Sequence, residues 1–290
     1  MKELTIISGK GGTGKTSITA SFASLAKNKV VVDADVDAAD LHLVLPPDIK
    51  KREEFKGGRI AVIDPDRCTQ CGECRERCRF NAISEDFVVN KISCEGCGVC
   101  VYFCPVKAID FPRQVCGQWF VSDTDYGPMV HARLGIAEEN SGLLVSLLRK
   151  EAKDLAEQNG LDLIMLDGPP GIGCPVISSV TGASAVLVIS EPTMSGLHDL
   201  KRVNELAAFL KVPAMACINK YDINLEMSEN IIAYAKDKDM AYVGAIPYDK
   251  DMTAAMVAQK PLVDYSNGAA AAAIRMVWKK IGKLMDLKNN

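Results

Sequence analysis

Leu4-Thr5-Ile6-Ile7-Ser8-Gly9-Lys10-Gly11-Gly12-Thr13-Gly14-Lys15-Thr16 is the stretch whose reading decides the fold. Leu4 to Ile7 reads as a strand and Lys15 to Lys27 as a helix rich in Ala and Ser, and Gly9 to Thr16 between them spells Gly-x-x-x-x-Gly-Lys-Thr. In such a loop, backbone N–H groups and a helix N-terminus cradle phosphate, the lysine reaches the β- and γ-phosphates, and the final hydroxyl can hold Mg²⁺. An ordinary Gly-rich turn is the alternative. The strand before and the helix after favour the phosphate loop, so a nucleoside triphosphate is the expected ligand.

A second pattern belongs to different chemistry. Cys68-x2-Cys71-x2-Cys74-x3-Cys78 is followed by Cys94-x2-Cys97-x2-Cys100-x3-Cys104-Pro105. Two copies of this spacing mark a bacterial-type ferredoxin with two [4Fe–4S] clusters, in which the fourth Cys of each run ligates the other cluster. The rule assigns Cys68, Cys71, Cys74 and Cys104 to one cluster and Cys94, Cys97, Cys100 and Cys78 to the other. Two structural zinc sites are the alternative, since paired Cys-x2-Cys units also suit tetrahedral zinc. The third Cys at the same spacing, the x3-Cys return and Pro105 favour iron–sulfur. Arg79 stands where Pro is common in the first run, and it removes no ligand.

The chain has 290 residues, which suits about two domains, and its apolar content of 48% supplies a large core. A formal charge of −3 gives no electrostatic case for nucleic acid or for an anionic membrane. Lys50-Lys51-Arg52 is the compact basic run, and Glu53-Glu54 follows it at once, which reads as a solvated loop. A phosphate loop starting at residue 9 leaves no room for a signal peptide, and no run of 18 apolar residues occurs. The expectation is a cytoplasmic protein with reduced thiols and no stable membrane anchor.

Beyond the first helix, the chain keeps a βα rhythm with one interruption. Val30 to Val32 reads as a buried strand ending at Asp33-Ala34-Asp35, and a loop with Pro46-Pro47 and Gly57-Gly58 leads into the cysteine region. Ser141 to Gln158 then reads as helix. Strands are expected over Leu161 to Leu166, Ala185 to Ile189, Ala214 to Ile218 and Val243 to Ile246. The intervening helices are Leu197 to Leu210, Met227 to Lys238 and Ala269 to Met285. The alternation implies an α/β fold, a mostly parallel sheet with helices on both faces, carrying an inserted ferredoxin domain. The expected domains are residues 1–58 and 113–290 for the nucleotide-binding part and 59–112 for the insert. In the last helix Ile274, Val277, Trp278, Ile281 and Met285 line one side, a stripe suited to core packing more than to a membrane surface.

Ligands of open parallel sheets bind at the carboxyl ends of strands. Asp33, Asp35, Asp37 and Asp40 crowd one such end, Asp167-Gly168-Pro169-Pro170-Gly171 another, and Asn219-Lys220-Tyr221-Asp222 and Pro247-Tyr248-Asp249 two more. Calcium is a poor reading of the first group, because Ala38 and Val44 replace the Gly and Glu of an EF-hand. With the second lysine Lys10 inside the phosphate loop, the order of these motifs resembles the MinD/ParA/nitrogenase-iron-protein superfamily of P-loop ATPases.

The resemblance covers essentially the whole chain and implies roles. Gly9, Lys10, Gly11, Gly12, Thr13, Gly14, Lys15 and Thr16 would bind ATP or ADP, with Thr16 and Asp167 at Mg²⁺. Asp35 would position the attacking water, Lys10 would act across a dimer interface, and Asn219, Lys220, Pro247 and Asp249 would line the base. Lys10, Lys15 and Asp35 are thus the candidate catalytic residues. Implied partners are a second ATPase chain, identical or related, and a redox or metallocluster protein. The alternative is a metallocluster assembly ATPase of the Mrp-like type.

Three cysteines lie outside the two runs. Cys217 sits in an apolar strand and reads as core. Cys174 precedes Pro175 and is expected as a helix N-cap. It matches a cluster-ligating cysteine of the nitrogenase iron protein, but the second such ligand would fall near Glu139, and Cys174-Pro175-Val176-Ile177 lacks the second cysteine of Mrp-type carriers. Cys116 carries no assignment. His42, His131 and His198 are scattered, without metal-ligand spacing.

Overall fold

The computed structural model of the chain describes residues 1–135 and 141–287. Its described residues form two compact units, one of Met1–Glu53, Trp119–Arg133 and 141–287, the other of Glu54–Gln118 with Leu134 and Gly135. The strands in chain order are β1 (Lys2–Ser8), β2 (Lys29–Asp33), β3 (Asp48–Arg59), β4 (Val62–Ile63), β5 (Ile109–Asp110), β6 (Arg113–Thr124), β7 (Gly127–Leu134), β8 (Leu163–Asp167), β9 (Ala185–Ser190), β10 (Ala214–Asn219) and β11 (Ala241–Ile246).

The nine-stranded sheet has the order β11-β10-β9-β1-β8-β2-β7-β6-β3. Every pairing from β11 through to β7 is parallel. The period of two along each strand splits the core between two faces. Leu4 and Ile6 of β1, Leu187 and Ile189 of β9, and Met215 and Cys217 of β10 pack on one face, with Ile18 and Phe22 of the helix Lys15–Leu25 and Ile274, Val277, Trp278 and Ile281 of the helix Ala269–Leu284. Ile7, Val186, Val188, Ala216 and Ile218 face the other way, onto helices Cys174–Val180, Met194–Phe209 and Leu225–Asp237. The α/β architecture with a mostly parallel sheet is thus as expected, and the last helix packs its apolar stripe into the core, with the Phe22 and Trp278 ring centroids 5.2 Å apart.

Three strands of the nine-stranded sheet have no counterpart in the sequence reading. Asp48–Arg59, read as a loop, is a twelve-residue strand at the end of the sheet, exposed at all positions from Asp48 to Glu54. A strand with one neighbour and little buried surface carries no hydrophobic alternation, so pattern does not reveal it. Strands β6 and β7, joined by Asp125 and Tyr126, complete this side of the sheet.

The smaller unit pairs β4 with β5 antiparallel, Ile63 opposite Ile109. It carries two short helices, Glu73–Glu76 and Val99–Phe103, each entered through a glycine with positive φ, Gly72 and Gly98. These glycines follow the second Cys of each run, so the sequence repeat is also a backbone repeat.

His131 of β7 is buried in the larger unit, with its Nε2 2.9 Å from Ser122 Oγ and its ring stacked on Phe120 at 4.9 Å. Burial lowers its pKa to about 4 from the usual 6.5, and the fields of His42 and Arg133 act in the same direction. The unfolded chain therefore takes up this proton first as pH falls. The stabilising effect of neutral His131, on the order of 3 kcal/mol, is fully present above pH 6.5 and is lost progressively toward pH 4. Denaturant titrations should show this acid loss, and His131→Gln should flatten it.

Candidate functional site

Parallel pairing brings the carboxyl ends of β1, β2, β8, β9 and β10 to one edge of the sheet. The phosphate loop leaves β1 there and enters the helix Lys15–Leu25 through Gly14, whose φ is +82°. A side chain at Gly14 would stand 2.4 Å from Asn219 Nδ2, so this glycine is required twice over. The Asn219 amide donates to Thr13 O at 2.8 Å and braces the loop from β10.

Lys15 is buried, and its Nζ lies 3.0 Å from Asp167 Oδ1 and 3.2 Å from Asp35 Oδ2. Thr16 Oγ1 donates to Asp167 Oδ2 at 2.7 Å, and Thr19 Oγ1 to Asp167 Oδ1 at 2.9 Å. Asp33 is fully buried behind them, accepting from the backbone N–H groups of Asp35 and Leu41 at 3.3 Å each. Burial drives the Asp33 pKa well upward, and repulsion from Asp167 and Asp35 adds to it, against the attraction of Lys15. Asp35 is also raised, by burial first, with Lys15 opposing. For Lys15 the balance reverses. Burial works to lower its pKa, but Asp167 and Asp35 together raise it, so the ammonium stays charged.

Among the described residues, Lys15 Nζ and Thr13 Oγ1 at the loop are buried without a well-aligned hydrogen-bond partner. The lysine pairs with its carboxylates by charge at 3.0–3.2 Å. Both atoms are donors with unused capacity, which fits phosphate oxygens. The Thr16 hydroxyl against the Asp167 carboxylate is the oxygen pair that suits Mg²⁺.

Lys10 points elsewhere. Its Nζ lies 3.3 Å from Glu191 Oε2 and 3.4 Å from Ser195 Oγ. Glu191 also takes Lys220 Nζ at 2.6 Å, and Lys220 reaches Gly12 O at 3.3 Å. One carboxylate thus clips the loop from outside. Asp222 accepts from Tyr248 N at 2.7 Å, joining the Asn-Lys-x-Asp and Pro-x-Asp segments, while Asp249 accepts from Asp251 N at 2.9 Å. The sequence reading missed Glu191, Thr19 and Asp199, whose Cβ would be 2.0 Å from a side chain added at Gly9. Glu191 follows directly on β9, so the strand-end rule was a usable signal for it.

The eight cysteines of the two runs all lie in the smaller unit. One hollow is lined by Cys68, Cys71, Cys74 and Cys104, and a second by Cys78, Cys94, Cys97 and Cys100. Backbone N–H groups of Gln70, Ala82 and Ala108 point at the sulfurs of Cys68, Cys78 and Cys104 at 3.2–3.4 Å. Burial raises the Cys74 thiol, with Cys68 and Cys71 adding, and pushes Cys100 up to about 11, with Cys94 and Cys97 adding. Thiols that resist ionising beside one another need a cationic core to become ligands. Among the described residues no three His, Cys, Asp or Glu side chains are grouped to hold a metal ion. Four thiols around each hollow match the donor number of a [4Fe–4S] cubane, which takes one thiolate at each iron.

The remaining cysteines divide. Cys217 is fully buried core, its thiol pushed up to about 12 by burial. Cys174 is the first residue of its helix and Gly173 the N-cap, one position from the expectation, because Gly173 holds the extended conformation that a cap needs. Position 139 lies outside the described residues. Cys116 is buried in β6, its sulfur 3.3 Å from Gly58 N. No helix among the described residues is long and apolar enough to cross a membrane.

Residues 4–262 match the family described as the CobQ/CobB/MinD/ParA nucleotide binding domain. The chain is 34% identical over 282 residues to protein MJ0578 of Methanocaldococcus jannaschii, an alignment covering 96% of each. It is 22% identical to an iron–sulfur cluster carrier protein of Pyrococcus horikoshii, over 99% of this chain and 88% of that one. Among solved structures, the cell division ATPase MinD of Pyrococcus furiosus superposes with a TM-score of 0.61 at 20% identity, over 98% of this chain and 99% of that one, a likeness of fold. A phosphate loop in this setting and a family match across most of the sequence lead to one conclusion: the chain belongs to the CobQ/CobB/MinD/ParA nucleotide-binding family and is a P-loop ATPase.

Proposed function

We propose that this ATPase is a dimeric switch whose inserted ferredoxin domain, residues 59–112, holds two [4Fe–4S] clusters, and that nucleotide state governs electron transfer with a redox or metallocluster partner. The observation that carries the reading is the pair of cysteine hollows, each lined by the four thiols that the crossed ferredoxin pattern assigns to one cluster. The clusters would supply low-potential one-electron chemistry.

The chain's own residues supply the switch. Lys15 and Thr13 offer unused donors to phosphate, and Thr16 and Asp167 offer oxygens to Mg²⁺. When Lys15 turns to phosphate, Asp167 and Asp35 lose their counter-ion together. Asp35, already raised in proton affinity by burial, is then suited to orient and polarise the attacking water. Gly168 N donates to Ile6 O and Gly171 N to Ser8 O, tying the loop after Asp167 to β1 at 2.8 and 2.9 Å, so a change at Asp167 strains that loop directly. Lys10 would leave Glu191 to reach a partner's phosphates, where a second cation offsets charge in phosphoryl transfer. Asn219, Lys220, Pro247 and Asp249 would border the base.

A metallocluster assembly ATPase is the second reading, favoured by the relative named as an iron–sulfur cluster carrier. The missing second cysteine after Cys174 weighs against transfer from the site such carriers use.

Anaerobically purified protein is expected to hold about eight irons and eight sulfides per chain. Two zincs and no iron would remove the electron-transfer reading and leave the ATPase. Lys15→Ala should lower ATP hydrolysis at least about a hundredfold with iron content unchanged; loss of both would show that the two sites do not work as separable modules.

A further inference from the structure

Strand β3 ends the nine-stranded sheet and has β6 as its single neighbour, so one of its edges is unpaired among the described residues. Its residues from Asp48 to Glu54, and Lys56, are exposed. Charges on such an edge ordinarily block pairing with another chain, because two copies of the same strand repel. Here their order does the opposite: Asp48-Ile49-Lys50-Lys51-Arg52-Glu53-Glu54-Phe55-Lys56 is close to its own complement when read backwards.

Two copies related by a two-fold axis normal to the sheet pair antiparallel. Pleating then requires opposed residues to share a face, so only registers centred on a residue are allowed. Centred on Arg52, Asp48 opposes Lys56, Ile49 opposes Phe55, Lys50 opposes Glu54 and Lys51 opposes Glu53, each pair occurring twice. Centred on Lys51, Lys50 meets Arg52, Asp48 meets Glu54 and Lys51 meets itself. Centred on Glu53, Lys50 meets Lys56 and Glu53 meets itself, which offsets the one opposite-charge pair, Arg52 with Glu54. Like charges directly opposite one another destabilise a strand pair, so the neighbouring registers are disfavoured.

In the Arg52 register a single like pair remains, at the axis. The Arg52 guanidinium lies over the Phe120 ring at 5.4 Å, a contact that holds its charge back from the axis. Present ion pairs of these side chains, Lys51 with half-buried Glu151 at 3.6 Å and Lys56 with exposed Glu54 at 3.6 Å, both use exposed lysines and are cheaply exchanged. Ile49, exposed in one chain, would be covered.

We propose that two copies of this chain join edge to edge through β3, antiparallel and centred on Arg52. The interface uses no residue of the nucleotide site, so it forms without ATP and does not rest on the dimer proposed above.

Sedimentation equilibrium of the full-length, nucleotide-free protein at low salt tests this. A dimer weakened by added salt is expected. Lys51→Glu and Glu53→Lys should each raise its dissociation constant about tenfold. The double variant should regain dimerisation, and so should an equimolar mixture of the two single variants, because each then meets its opposite charge. Recovery in the mixture also shows that the single variants are folded. A wild-type chain that stays monomeric at about 100 µM, or single variants that dimerise like wild type, or a mixture and a double variant that both stay weak, would overturn the proposal.

Discussion

Parallel pairing of β1 on both sides, with β8 and with β9, is the constraint on which the nucleotide site depends. Because the three strands run the same way, the phosphate loop, Asp167 and Glu191 all emerge at one edge, and β2 and β10 add Asp33, Asp35 and Asn219. No local rule brings these residues together. They are separated by up to about two hundred positions, and the sheet makes them neighbours within hydrogen-bond reach.

The same convergence sets up an electrostatic problem. Three buried carboxylates, Asp33, Asp35 and Asp167, surround one buried lysine, and burial alone would neutralise several of these groups. Lys15 keeps its charge because two carboxylates face it, and the upward shifts at Asp33 and Asp35 come first from burial, with repulsion from the neighbouring carboxylates adding to it and Lys15 opposing. Such a cluster is poised: a change in the partner of Lys15 alters the charge balance of every carboxylate around it. That is the physical content of the switch proposed for the loop after Asp167.

The smaller unit is organised differently. Its core cluster consists of Ala61, Cys74, Ile83 and Ile109, flanked by partly buried residues that include Cys78, Cys94, Cys100 and Cys104. A core this small stabilises little by apolar burial alone, and a unit of this kind ordinarily leans on metal or covalent ties. That the cysteines are themselves part of the packing agrees with the proposed cluster-bearing role.

By itself the sequence determined what is written in contiguous or periodic signals. The loop from Gly9 to Thr16, the strand cores such as Ala185–Ile189, the stripe of the last helix and the two cysteine runs are all local, so their chemistry is legible without a partner in space. Tertiary structure decided what depends on a neighbour. It made a strand of Asp48–Arg59, whose charges carry no alternation and whose conformation is held by pairing with β6. It turned the Asn219 amide onto Thr13 and gave Lys10 and Lys220 a common counter-ion in Glu191. The reason is one of range: periodicity reports how a segment meets the core, whereas an ion pair or an edge pairing is set by where the sheet delivers two distant segments.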